Sequence, residues 1–310
     1  MTLFWDSWDP AYARPMGDDA AEPAGQSTAS VEVDVELPAT AWHARDRAPV
    51  ARAPDVVLFA DGVLRVDGRG WLVDAEGASH PALAASYAAG VVRCDLVGGA
   101  AEVVHARVER ALLTSAPGAA ASGTGPARYA PHPVPGASAA QLDGHLRGLM
   151  SGLEIAVCAS TRESTVEPPG LLVADGRLRG RRHLPHTIGY VKTQSTTYLP
   201  AELVPVVTGL AAGQRTPVFR LSSLYSWYLR LPGHAGGPWS GVIRVECSGD
   251  LTAQQAIALA DTSAVTLPRF AASGYKDPRA PQNLVPIAGL ERRLRGMLGD
   301  SRLLHRTLQR

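Results

Sequence analysis

An α/β fold, a mixed β-sheet flanked by helices, is what this sequence predicts, and three observations predict it. Apolar runs bounded by turn residues come in mixed order with stretches whose apolar residues fall at helical spacing. The longest helical stretch, 139–160, sets Leu142, Leu146, Leu149, Met150, Leu153 and Val157 at such spacings. Two matching strands, "VVLFADG" (56–62) and "LLVADG" (171–176), each run into Ala-Asp-Gly. The chain has 310 residues, 45% of them apolar and 19% charged, enough for a substantial core.

Residues 1–30 are rich in Pro, Gly, Ala, Asp and Ser and read as a flexible arm. "SVEVDVEL" (30–37) alternates apolar and acidic residues, as a half-exposed strand does. The apolar strand ending at Asp61 follows, then a strand with a turn at Asp67-Gly68. Stretches 84–97 and 101–114 extend these into a meander. Residues 115–138 are a low-complexity Ala/Gly/Pro/Ser loop, in which "SGTGPAR" lacks the Lys-Ser/Thr of a phosphate-binding loop.

After the 139–160 helix comes the strand ending at Asp175, then a strand within 186–199 that leads into a loop. A short helix starts at Pro200, and "PVFRLSS", "YSWYLRLPG" and "SGVIRVECSG" are strands. Residues 251–271 are helical until Pro268, and 275–286 form a proline-punctuated loop. The last helix, about 284–299, buries Leu284, Ile287, Leu290, Leu294 and Leu298 and exposes Glu291, Arg292, Arg293 and Arg295. The expected organisation is an arm (1–30), one domain (31–300) and a C-terminal tail (301–310).

Cys94, Cys158 and Cys247 are scattered, with no CxxC and no histidine cluster beside them. That argues against a disulfide framework or a zinc site and fits a reducing compartment. No apolar run approaches the ~18–20 residues that span a bilayer, and the N-terminus lacks the pattern of a signal peptide. A cytoplasmic protein without membrane contact is expected. The net charge of +1 hides an asymmetry: residues 1–176 carry 12 Lys/Arg against 22 Asp/Glu, residues 177–310 carry 18 against 7. A basic half suits a polyanionic partner such as DNA; packing of the two halves against each other would cancel the same charges.

An acid at the end of an apolar strand is well placed to hold a cation. Magnesium or manganese needs hard oxygen ligands converging from separate elements. Asp61 and Asp175 supply two, and Glu154, set in the apolar stretch Leu153-Glu154-Ile155-Ala156-Val157, is the candidate third. Two ions ~3.5–4 Å apart on such acids activate water and stabilise the leaving oxygen in phosphodiester cleavage. Asp-Gly is equally a turn signature, and a helix glutamate is often simply solvated. Lys192 and the arginines at 177, 179, 181 and 182 are either surface residues or phosphate contacts. The loop "YKDPRAPQN" gathers Tyr275, Lys276, Arg279, Gln282 and Asn283, all able to bind phosphate.

Four blocks give the chain a family resemblance: "LFADGVLRVDGR" (58–69), "LRGLMSGLEIAVCAS" ahead of "LLVADGRL" (146–178), "IGYVKTQSTTYL" (188–199) and "TLPRFAASGYKDPRAPQNLVPIAGLERRLRGMLGD" (266–300). The sequence resembles the NurA nucleases, bacterial members above all, which partner the hexameric HerA ATPase in DNA end processing. The resemblance implies an RNase H-like core, a ring-shaped homodimer, and manganese-dependent exonuclease activity with endonuclease activity beside it. It implies metal ligation by Asp61, Glu154 and Asp175, and a catalytic role for Tyr275. Lys192, Lys276, Arg279, Asn283 and Arg177 are then the expected DNA contacts. Asn283 stands where archaeal members have a histidine; an asparagine offers a carbonyl oxygen but is no general base. That departure leaves room for a rival reading, a catalytically weak DNA-binding subunit that regulates such an ATPase. A carboxylate glycosidase, with the aromatic cluster "YSWYLRLPGHAGGPW" (225–239) as platform, fits the basic half less well.

Overall fold

The structure, a computed structural model, describes residues 2–5, 25–26, 29–164, 170–192, 196–233, 237–273 and 280–309. In chain order the strands and helices are β1 (Thr2–Trp5), β2 (Gly25–Gln26), β3 (Val31–Glu32), β4 (Val56–Val73), β5 (Ser79–Asp95), β6 (Ala100–Thr114), β7 (Ala130–Pro133), α1 (Ala139–Ser164), β8 (Leu171–Asp175), β9 (Thr187–Val191), β10 (Thr196–Thr197), α2 (Val204–Thr208), β11 (Phe219–Leu221), β12 (Leu224–Arg230), β13 (Val242–Ser248), α3 (Ala253–Thr266), α4 (Val285–Met297) and α5 (Ser301–Leu308). The expected α/β fold, a mixed sheet flanked by helices, is what the chain forms.

The large sheet runs β3-β11-β12-β13-β9-β8-β4-β5-β6-β7, with β1 pairing β4 outside that path. β4, β5 and β6 are successive antiparallel neighbours, the expected meander. β8 joins β4 in parallel, and β9 joins β8 in parallel. A crossover is needed to bring β8 back beside β4 in parallel, and α1 lies in that connection.

Strand alternation sorts the core into two layers. Val57, Phe59, Val63 and Val173 face one side, under Ala256 and Ala260 of α3 and Ile287, Leu290 and Leu294 of α4. Leu58, Ala60 and Leu172 face the other, under Leu142, Leu146, Leu153 and Val157 of α1. Leu294 is fully buried at the centre of the first layer. Leu294→Ala is expected to lower unfolding free energy by about 2–5 kcal/mol in urea titration, through lost transfer energy and the cavity left behind.

Several boundaries differ from the sequence reading. β4 does not stop at Asp61 but runs 18 residues, through Asp61-Gly62 and on to Val73. Gly62 keeps an ordinary strand conformation there, whereas Gly176 after Asp175 takes φ +82° and turns the chain. Asp67-Gly68 is likewise no turn: the ladder with β5 slips by one residue between Val66 and Gly68, a bulge inside the strand. Asp67 is buried there, accepting from Arg65 Nε at 2.7 Å, Tyr129 Oη at 3.0 Å and Ser86 Oγ. The half-exposed strand expected over 30–37 shortens to Val31–Glu32. The low-complexity stretch contributes β7, and residues 301–308, read as tail, form α5, capped by Asp300 and burying Leu304 and Leu308. Within the arm, Thr2–Trp5 pairs with Gly70–Val73. The three cysteines are buried free thiols. Among the described residues no helix is long and apolar enough to cross a membrane.

Candidate metal centre

Asp61 shares its sheet face with Phe59 and Val63, so its carboxylate points under α4. Asp175 ends β8 on the same face as Val173, and the parallel pairing sets Ala60 opposite Ala174. α4 packs over this face through Ile287, Leu290 and Leu294. Glu291 follows Leu290 directly, and its carboxylate turns inward to the two aspartates. Asp61, Asp175 and Glu291 each bring an oxygen within 4.8 Å of the others. The sequence reading left Glu291 on the exposed side of the last helix. Its signal was faint: a lone acid in "LERRLR", at the border of an apolar stripe, is ordinary helix patterning.

Glu154 reaches the same strand from the opposite face. Its carboxylate lies over Gly62, where an added Cβ would meet Glu154 Oε1 at 2.6 Å, Cγ at 3.0 Å and the Ala88 carbonyl oxygen at 3.2 Å. This explains a glycine inside a regular strand: it opens the space the glutamate occupies. Arg181 Nη1 stands 3.4 Å from Glu154 Oε2, with only 3% of its side chain exposed. Arg181 is therefore no surface residue, and Glu154 lies outside the three-acid cluster of Asp61, Asp175 and Glu291. Gly62→Ala is expected to push Glu154 off Arg181 and to cost about 1–3 kcal/mol of overpacking strain, read as a lowered melting temperature.

Lys192, just past β9, donates from Nζ to Asp175 Oδ2 at 2.6 Å and to Asn283 Oδ1 at 3.0 Å. Asn283 is completely buried, so the structure sets it beneath the lysine and not on the surface. Arg177 is exposed, and its Nη2 donates to Tyr198 Oη at 3.0 Å. Tyr275, Lys276 and Arg279 lie outside the described residues. Arg292, Arg293 and Arg295 are exposed on α4, next to Glu291.

The electrostatics are those of partly buried acids crowded together. Burial raises the Asp61 carboxyl well above its ordinary range; Asp175 and Glu291 add to the rise, and Lys192 only partly offsets it. Asp175 is raised by burial as well, against the pull of Lys192. Burial lifts Glu154 to about 7, Arg181 holding it down and Asp175 pushing it up. Three oxygen donors converging from two strands and a helix, with like charges crowding one another, fit a hard divalent cation.

No family model and no curated protein matches the sequence. Among solved structures, endonuclease V from Bacillus subtilis is similar at 11% identity, over 80% of this chain and 83% of that one, with a TM-score of 0.36. The catalytic domain of human endonuclease V is similar at 20% identity, over 83% of this chain and 92% of that one, with a TM-score of 0.34. At this level of likeness the chemistry of the site has to be read from its own residues.

Proposed function

We propose that the chain is a divalent-cation-dependent DNA nuclease of the NurA type, a phosphodiester hydrolase. The observation that carries the reading is the convergence of Asp61, Asp175 and Glu291 on one face of the sheet. These three would hold manganese or magnesium, which when bound supplies charge stabilisation at the scissile phosphate and a more acidic water. Glu154, raised to about 7 and set against the same strand, is poised to hold or release a proton at its carboxylate near neutral pH.

Lys192 offers its ammonium at the edge of the cluster, and the exposed Arg295, one turn on from Glu291, adds positive charge on the same side of α4. Such charges neutralise phosphates without reading sequence. In this reading Arg177, Lys276, Arg279 and Tyr275 complete the DNA path, and the protein works as a homodimer beneath a hexameric HerA-type ATPase, trimming DNA ends in the cytoplasm. The family resemblance supports that finer assignment.

Glu291→Gln tests the reading at the ligand that α4 supplies. The amide keeps the shape and removes one negative ligand. Cation-dependent cleavage is expected to fall on the order of 100-fold or more, with apparent cation affinity falling alongside. Rates equal to those of the unaltered chain would remove Glu291 from the site.

A further inference from the structure

Glu246 of β13 carries a further inference, which rests on the nuclease reading above. Val245 and Cys247 face the layer under α3 and α4, so by alternation Glu246 points to the opposite face. Strand register sets Glu246 opposite Gly189 of β9, Gly189 opposite Ala174 of β8, and Ala174 opposite Ala60 of β4. One row across the sheet thus leads from Glu246 to the residues just before Asp175 and Asp61. Glu246 is 2% exposed, and its Oε2 accepts from Arg244 Nη1 at 2.7 Å. Its Oε1 reaches across β9 and accepts from the Leu178 N–H at 2.5 Å.

Gly189 makes that reach possible. An added Cβ there would meet Glu246 Cγ at 2.9 Å, the Leu178 nitrogen at 2.9 Å and the Gly176 carbonyl oxygen at 3.1 Å. The space above Gly189 is therefore filled by the glutamate and by the turn that leaves β8. That turn begins at Asp175 itself. Gly176 takes φ +82°, its N–H donates to the Tyr190 carbonyl at 2.8 Å, and Leu178 beyond it is buried. A buried N–H needs an acceptor, and the Leu178 N–H finds it in Glu246. A buried ion pair adds little stability over apolar residues of similar volume. What Glu246 supplies that an apolar side chain cannot is the acceptor for this turn.

We propose that Glu246 is a positioning residue of the metal centre: its carboxylate clamps the turn after Asp175 and so keeps Asp175 aimed at the cation. Asp175 is the last residue of β8, held on one side by the strand ladder and on the other by this turn. Loss of the clamp lets the turn shift, and a ligand at the strand end shifts with it. Groups that orient metal ligands from behind in this way change cation affinity about 10–100-fold when removed.

The test is the Mn2+ affinity of the full chain without DNA, measured by calorimetry, with urea titration of each variant alongside. Replacing the ion pair as a unit, Arg244→Met together with Glu246→Leu, keeps the volume filled and removes the acceptor. Tight Mn2+ binding is expected in the unaltered protein, and its loss in Asp61→Asn. The double variant is expected to fold and to bind Mn2+ about 10-fold or more weakly. Glu246→Gln keeps an acceptor oxygen for Leu178, and its affinity is expected to stay within about threefold of the unaltered protein. If the double variant does not fold, Glu246→Leu alone takes its place. Mn2+ bound by the folded double variant as tightly as by the unaltered chain would overturn the proposal and leave the metal reading standing. Binding as weak in Glu246→Gln as in the double variant would overturn it as well, because charge and not the clamp would then be what the site feels. Absence of tight Mn2+ from the unaltered chain, or binding indifferent to Asp61→Asn, would sink the metal reading and the clamp proposal with it.

Discussion

Asp61→Asn is expected to abolish cation-dependent cleavage while leaving the fold at least as stable as before. The two effects separate because Asp61 is set in the fold against its own charge. It is 9% exposed in the middle of β4, with Asp175 and Glu291 facing it. The Gly62 N–H donates to its Oδ1 at 2.8 Å. Burial first, then Asp175 and Glu291, raise its carboxyl above the ordinary value. A carboxyl whose folded pKa lies above its unfolded one favours the folded state below the unfolded value. That contribution is lost as pH rises through the folded value, so above its unfolded value the carboxyl is a net cost to the fold. Asparagine removes that cost and keeps the shape, so a gain on the order of 1 kcal/mol is expected at pH 7 in the absence of divalent cation. Loss of a central ligand should lower the cleavage rate about 1,000-fold or more, several kcal/mol of barrier. Urea titration and a cleavage assay on the same preparation check both halves. An unfolded variant, or a folded one that still cleaves, would place Asp61 among structural residues.

Arg215→Met is expected to be the most damaging single change to the fold. Arg215 is fully buried; its Nη1 and Nη2 donate to both oxygens of Glu36 at 2.7 and 2.9 Å. Its Nε and Nη2 donate to Asp261 Oδ1 on α3 at 2.9 and 2.7 Å. Glu36 also accepts from the Val218 N–H at 2.7 Å. The guanidinium therefore pins the segment before β4 and the helix α3 to the chain entering β11. Removing it strands two carboxylates, and breaking a buried pair in this way costs about 3–5 kcal/mol. The pH dependence identifies the cause. Burial pushes the Glu36 carboxyl up, but Arg215, the Val218 N–H and Arg45 outweigh it and hold the group below its ordinary 4.5. A depressed carboxyl contributes stability that is present above its unfolded value and lost as pH falls through the folded one. Without Arg215 the largest contributions that oppose burial are gone, and that pH-dependent stability is lost with them. The deficit of Arg215→Met should be largest near pH 7 and shrink as the buffer is taken below about pH 4. A deficit independent of pH would mean that lost packing, not stranded charge, is what the variant feels.

The large elements were legible because local pattern and burial agree in them. The helical spacing of Leu142, Leu146, Leu153 and Val157 is the face that packs on the sheet, and "LLVAD" and "VIRVECS" form the expected strands. The two Ala-Asp-Gly stretches led to both aspartates of the cluster, yet their shared spelling hid different physics. Gly176 is a turn residue at positive φ, while Gly62 is a gap in a strand that the Glu154 side chain fills. Sequence does not separate these, because the difference lies in a helix packed across the strand. The same limit hid Glu291 and Arg181, each in a charged run that reads as solvent-facing until tertiary packing turns one member inward. Asn283, suggested by its neighbours as a phosphate contact, is beneath Lys192, which the chain reaches only after folding 91 residues back on itself.

The most direct test of the central claim is cleavage of end-labelled linear DNA, single and double stranded, in Mn2+, Mg2+ or EDTA, with Asp61→Asn alongside. The account predicts degradation in a divalent cation that is lost in EDTA and lost in the variant. Cleavage that persists in EDTA would contradict it. DNA bound but uncut in every cation would contradict it too, and would favour a regulatory DNA-binding subunit of the ATPase.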